Sequence, residues 1–307
     1  MKKLRIGTRS SILALKQTDI VKGLLNLHYP STKIEITHIT TTGDKILDKN
    51  LANIGGKGLF IKEIEEKLED QSIDIAVHSM KDMPAYMPEG FSIACILERE
   101  DARDVFISAK YKSINDLPNG AVIGTSSSRR AAQVLNIRPD LKITPFRGNI
   151  NTRLKKVENG EVDATFLAIA GLKRANLIPK DTELLSMYPL PYSTMLPAVS
   201  QGAIGVETLS KNVEIIKLLQ KLNHKETSTC ITAERAFMQA FEGSCTTPIA
   251  ANAEIKNNHI HLTALIARPN GTEIHKTSIN GKKEEAEEIG HKAALDLKSR
   301  IKDDFFS

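Results

Sequence analysis

The chain has 307 residues, 41% of them hydrophobic and 26% charged, with a net charge of +5, the composition of an ordinary globular protein long enough for two or three domains. No apolar run approaches the ~18 residues of a membrane span, and Arg5 and Arg9 break the apolar stretch that the Met1-Lys2-Lys3 start would need as a signal peptide, so a cytoplasmic protein with no membrane partner is expected. An odd set of cysteines (Cys95, Cys230, Cys245) with no CxxC pair speaks against a disulfide framework and against a zinc cage.

In chain order, Leu4-Arg5-Ile6-Gly7 reads as a short strand, and Thr8-Arg9-Ser10-Ser11 opens a helix whose apolar positions Ile12, Leu15, Ile20 and Leu24 follow helical spacing. Phe60, Ile61, Ile64 and Leu68 mark an amphipathic helix that leads into the strand Ile73–Val77. The arrangement then repeats. Ala121-Val122-Ile123-Gly124 is followed by Thr125-Ser126-Ser127-Ser128 and a helix beginning at Arg129-Arg130. A charged helix carrying Leu154 and Val157 precedes the strand 162–167. These paired patterns predict two related α/β lobes with mainly parallel sheets. Beyond residue 223 the pattern changes. A helix over 229–241 leads to Gly243-Ser244-Cys245, three short strands lie near 249–255, 259–267 and 273–279, and a charged helix spans 283–300. Asn257-Asn258 and Pro269-Asn270-Gly271 mark the hairpin turns. A small α+β domain with a three-stranded antiparallel sheet is expected there.

The two hydroxyl-rich helix starts combine free backbone N–H groups with the positive end of a helix dipole, and each adds arginines able to grip a carboxylate through parallel hydrogen bonds. Serine and threonine at such places also serve as plain caps, the commoner use for either site alone; two matching sites favour an anionic ligand. Phe146-Arg147-Gly148-Asn149 and Arg153 add further arginines. With only 5% aromatic residues and no tryptophan, base stacking is poorly provided for, so carboxylate-rich small molecules suit the set better than nucleic acid. His78-Ser79-Met80-Lys81-Asp82 lies where the strand 73–77 ends, the edge at which open parallel sheets take ligands. Asp82 alone reads as a turn cap and His78 as a packed, hydrogen-bonded residue. Asn53–Gly58 is a glycine-rich loop without the P-loop pattern; it reads as a lid with Lys57 at its tip.

The ordered runs TRSS, GGKGLFIKE, DIAVHSMKDMP, EREDARD, GTSSSRR, FRGNINTRL, LAIAGLKR, LPAVSQGA, TAERAF and GSCTTPIA resemble the hydroxymethylbilane synthase (porphobilinogen deaminase) family from about Leu4 to Arg300. The resemblance implies a transferase of haem biosynthesis that joins four porphobilinogen molecules head to tail onto a covalent dipyrromethane primer. Ammonia is lost at each step, and hydrolysis then frees hydroxymethylbilane. It places the dipyrromethane on Cys245 by a thioether, which suits a thiol on an exposed loop, and leaves Cys95 and Cys230 structural. Asp82 matches the family's catalytic aspartate. Arg9, Arg129, Arg130, Arg147 and Arg153 match its carboxylate-binding arginines, and Ser11, Lys57, Ser79, Lys81, Thr125, Ser126 and Gly148 match further cofactor or substrate contacts. The implied fold is two lobes like those of periplasmic binding proteins, 1–98 with 199–219 and 103–195, plus a cofactor-bearing domain over 223–307. The implied enzyme is a monomer. Ser244, Ser200 and Ser128 depart from the family pattern, where glycine, glycine and leucine are usual. The rival reading, a bilobal binding module without chemistry, gives Cys245 no role.

Overall fold

The computed structural model describes residues 2–45, 61–177, 185–241 and 247–306. Its first stretch holds β1 (Lys3–Arg9), α1 (Ile12–His28), β2 (Lys33–Ile39), α2 (Thr42–Lys45), α3 (Lys62–Glu69), β3 (Ile75–Ser79) and β4 (Phe91–Ile96). The middle holds β5 (Asp104–Ser108), β6 (Val122–Gly124), α4 (Ser128–Ile137), β7 (Lys142–Thr144), α5 (Ile150–Glu158), β8 (Ala164–Ala168), α6 (Ile169–Arg174) and β9 (Ser186–Pro189). The chain closes with β10 (Ile204–Leu209), α7 (Val213–Leu219), α8 (Lys225–Ala240), β11 (Ile249–Lys256), β12 (His259–Ala267), β13 (Ile274–Lys282) and α9 (Ala286–Lys298). It divides into two compact units, Met1–Arg99 with Gly202–Ser228, and Glu100–Gln201 with Thr229–Ser307.

The first unit is built on a five-stranded sheet of order β2-β1-β3-β10-β4. β1 runs parallel to β2 and β3, while β10 lies antiparallel between β3 and β4. Strand alternation sends Ile75 and Val77 to one face, where they pack with Val21 and Leu25 of α1 and Leu219 of α7. Ala76 goes to the other, against Ile64 and Leu68 of α3. Both faces are covered, which is why β3 is an unbroken apolar run. The strand expected over 73–77 is found two residues later. Its first expected members are taken up in fixing the strand's start: the Asp74 carboxylate accepts the Arg5 backbone N–H at 2.7 Å and Arg5 Nη2 at 2.6 Å, and pairing with β10 extends through Ser79.

The second unit repeats the topology as β7-β6-β8-β5-β9, with β6 parallel to β7 and β8 and β5 antiparallel between β8 and β9. Phe106 and Phe166 face Val134 of α4, and Val105 and Leu167 face Leu154 and Val157 of α5. The same unit contains the antiparallel sheet β11-β12-β13. One face of that sheet packs Ala251, Leu262 and Ala264 against Phe237 of α8 and Ile289, Ala293 and Leu297 of α9. The other presents Ala250, Leu265 and Ala267 to Ala132 of α4. The carboxylate of Glu234 on α8 accepts the N–H groups of Ser200 and Ala253, each at 2.7 Å. No helix among the described residues is long and apolar enough to cross a membrane.

Candidate active site

In the first unit the β1–α1 turn and the end of β3 meet at an open pocket lined by Arg9, Ser11, Gln17, His78, Ser79 and Asp82 with apolar neighbours. Ser11 is the N-cap of α1, its hydroxyl accepting the Ala14 N–H at 3.3 Å. Past Ser79 the chain makes one 3-10 turn, Met80–Asp82, closed by the Met83 N–H to the Met80 carbonyl at 3.3 Å. The turn is anchored from inside. Met80 donates its N–H to the Ala203 carbonyl at 3.0 Å, and its side chain is fully buried over Gly205, where an added Cβ would collide with the Met80 sulfur. With Met80 pinned inward, Asp82 is exposed and Lys81 half-buried. Arg9, Ser11, Ser79 and Asp82 are thus brought to one pocket, and Lys81 sits on the same turn.

The second unit gathers Thr125, Ser126, Arg129, Arg130, Arg147, Gly148 and Arg153 at the corresponding edge of its sheet. Ser127 caps α4, accepting the Arg130 N–H, and the Thr125 hydroxyl accepts the Ser127 N–H at 3.2 Å. The Ser126 hydroxyl accepts the Phe146 N–H at 2.9 Å and donates to the Phe146 carbonyl at 3.3 Å, tying this turn to the Phe146–Arg153 segment. Gly148 has φ +115°, and a Cβ there would lie 2.8 Å from the Thr152 side chain, so glycine meets a conformational and a steric demand at once. Its carbonyl accepts Arg153 Nε at 2.9 Å. Burial, then the charges of Arg130 and Arg147, push the Arg153 guanidinium down to about 10, so these three cations share one neighbourhood.

Arg129 and Arg130 are buried, and each already faces a carboxylate of the chain. Arg130 Nη2 donates to Asp104 Oδ1 at 2.7 Å, and Arg129 Nη2 makes an ion-pair contact with Asp104 Oδ2 at 2.9 Å. Arg129 Nη1 also donates to the Leu196 carbonyl at 2.7 Å, and Gln201 Nε2 reaches Asp104 at 2.9 Å. Two guanidiniums against one carboxylate leave an excess positive charge. The Nε atoms of both arginines are buried without a hydrogen-bond partner among the described residues. Donors in that state suit an anion better than an empty interior. A group carrying several carboxylates, as a dipyrromethane does, fits this set of residues.

Lys57, Ser244 and Cys245 lie outside the described residues. The other cysteines are buried, Cys95 in β4 and Cys230 in α8, and burial pushes the Cys95 thiol up to about 12, where it is inert as a nucleophile. Sequence reasoning did not single out Asp104, Gln201, Glu207 or Glu65. Asp104 stands in the quoted run EREDARD, and charged residues inside otherwise apolar strands, as Glu207 is, were the available signal.

Two family models together span most of the chain: "Porphobilinogen deaminase, dipyromethane cofactor binding domain" over residues 4–217 and "Porphobilinogen deaminase, C-terminal domain" over 228–299. The porphobilinogen deaminase of Syntrophomonas wolfei is 48% identical over 97% of this chain and 95% of its own length. That of Geobacillus kaustophilus is 48% identical over 97% and 94%. Among solved structures, the periplasmic aliphatic sulphonate binding protein SsuA from Escherichia coli aligns with a TM-score of 0.44 at 15% identity, over 78% of this chain and 71% of that one. With family models matching residues 4–217 and 228–299 and near-half identity over almost the whole length of these relatives, the chain belongs to the porphobilinogen deaminase family.

Proposed function

We propose that the chain is a hydroxymethylbilane synthase, joining four porphobilinogen molecules head to tail with loss of ammonia and releasing the linear tetrapyrrole by hydrolysis. The observation that carries this reading is the cationic cluster of the second unit, where burial and the charges of Arg130 and Arg147 lower Arg153 and the buried Nε donors of Arg129 and Arg130 have no hydrogen-bond partner among the described residues. Every pyrrole unit brings an acetate and a propionate, so a growing chain needs such a cluster. Bound to Cys245, a dipyrromethane supplies the primer to which each ring is joined. Arg129, Arg130, Arg147 and Arg153, with Thr125, Ser126 and the Gly148 backbone, hold carboxylates. Arg9, Ser11, Ser79 and Lys81 orient the ring handled at the pocket, and Lys57 contributes from its glycine-rich loop.

Asp82 performs the electrostatic work. When the aminomethyl group of porphobilinogen departs as ammonia, positive charge develops on the pyrrole, and a carboxylate about 4 Å away stabilises it by about 4 kcal/mol at an effective dielectric near 20. The departing ammonium already carries the proton its leaving group needs, so Asp82 can stay ionised and accept the proton that the ring later gives up. The enzyme works in the cytoplasm as a monomer, which light scattering on the purified protein checks directly. The intact mass should show one dipyrromethane adduct, mapped to the Cys245 peptide; an active protein without it would overturn the primer assignment. On protein loaded with primer, Asp82→Asn should lower the condensation rate on the order of a thousandfold. A turn-capping aspartate would tolerate asparagine, so a loss under about tenfold rejects the role.

A further inference from the structure

We infer that His78 is a positioning residue for the condensation, clamped from across the sheet by Glu207 so that the wall of the Asp82 pocket keeps its place, with Glu65 of the facing helix as third member of the same cluster. This rests on the function proposed above and deepens it. In the antiparallel pair β3/β10, His78 stands opposite Gly205 and Ala76 opposite Glu207, which puts His78 and Glu207 on one face as diagonal neighbours. His78 Nε2 lies 2.7 Å from Glu207 Oε2, with side-chain exposures of 6% and 0%. A nitrogen–oxygen contact of that length holds a proton between its atoms. An apolar pair at these positions would pack without the desolvation that a buried polar pair entails. What the pair adds is a fixed direction for the ring and a bound proton.

The ring's neighbours make the arrangement more than a local bond. His78 is a lining residue of the pocket that holds Arg9, Ser79 and Asp82, and it directly precedes Ser79 and the turn that presents Asp82. α3 packs on the Ala76 face through Ile64 and Leu68. From that helix Glu65 adds a second carboxyl whose Oε1 is buried without a hydrogen-bond partner among the described residues, as is Glu207 Oε1. Burial first and the Glu207 charge second raise Glu65 to about 7, with His78 acting the other way and Glu69 adding to the rise. Glu65 therefore meets the pair neutral in mildly acidic solution and negative in alkali. Once ionised, it adds a negative charge to the surroundings of the His78–Glu207 pair.

The test uses the holoenzyme, with primer content verified by mass. Glu207→Gln and His78→Gln should lower kcat about tenfold or more, the loss of a hydrogen bond to a charged group, while KM stays within about twofold. In wild type kcat should decline as pH rises through about 7, and Glu65→Gln should flatten that decline. Because Glu65 is only half-buried at a helix surface, this last variant folds even if the two buried substitutions do not. An unchanged pH profile in Glu65→Gln, or wild-type kcat in folded Glu207→Gln and His78→Gln, overturns the proposal. Wild-type holoenzyme that consumes no porphobilinogen would instead sink the activity itself, and this inference with it.

Discussion

Asp104→Asn tests how the arginine pair is held. In the wild type the carboxylate meets Arg130 at 2.7 Å, Arg129 at 2.9 Å and Gln201 at 2.9 Å. Asparagine keeps the shape and can still bond Gln201, but the cluster passes from one excess positive charge to two. Removing one partner of a buried ion pair typically costs about 3–5 kcal/mol, since the remaining charge is left uncompensated. For a unit of this size each kcal/mol moves Tm by about 2–4 °C, so a fall of roughly 10 °C is expected. The pH dependence carries its own sign. Burial alone would raise the Asp104 carboxyl, but the charges of Arg129 and Arg130 and the hydrogen bonds overcome it and hold the group well below the usual carboxylate range. Its contribution is therefore complete above the unfolded value of about 3.9 and is lost as pH falls toward the folded one. Thermal unfolding followed by circular dichroism should show a constant gap between variant and wild type from about pH 5 to 8 that closes in stronger acid. The double variant Asp104→Asn/Arg129→Gln restores the charge balance and should recover part of the loss. A gap below about 3 °C at neutral pH, equivalent to roughly 1 kcal/mol, would refute the reasoning.

Other outcomes follow from single residues. Ser200 is buried in the left-handed region at φ 62°, and its hydroxyl has no hydrogen-bond partner among the described residues. Ser200→Gly should raise stability by about 1–2 kcal/mol, read as a Tm increase of a few degrees. Glu65, raised by burial and by Glu207 to about 7, contributes stability that is complete below its unfolded value and lost as pH rises through the folded one. The Tm of Glu65→Gln should accordingly exceed that of wild type more at pH ~8 than at pH ~5. Arg147→Leu, at a half-buried position, should stay folded by circular dichroism yet lose primer incorporation by mass, whereas Arg129→Leu removes a buried ion-pair partner of Asp104 and the bond to the Leu196 carbonyl and should also lower Tm.

The repeated strand–turn–helix pattern was legible because its signals are local. Leu4–Gly7 and Ala121–Gly124 are short strand-like runs ending in glycine, each followed by hydroxyl caps, and the structure uses Ser11 and Ser127 in those roles. Helix limits were less legible. α8 begins at Lys225, ahead of the expected 229, because a polar first turn carries no apolar periodicity. The arginine-bearing and aspartate-bearing segments could be identified from motifs, but the partners that fix them could not. Asp104 and Arg130 lie 26 positions apart, and His78 and Glu207 lie 129 apart, so their pairing depends on which strands become neighbours. Strand order across a sheet leaves no mark on composition or periodicity. The antiparallel insertion of β10 between β3 and β4 is the feature that creates the His78–Glu207 contact.

One topology serves opposite charges in the two units. In each sheet the antiparallel strand begins at the edge where the parallel strands end, the edge that ligands use in open α/β sheets. In the first unit that edge pairs Ile204 with Ser79, and the turn beyond Ser79 exposes the carboxylate of Asp82. In the second the matching position is Asp104, paired with Ala168 and buried against two arginines. A carboxylate left in reach of solvent can answer a developing cation. One committed to two guanidiniums orients them and leaves positive charge in excess for an anion. The acid stands on an exposed turn in one unit and under an arginine pair in the other, where it offsets one of the two cations and leaves the second in excess.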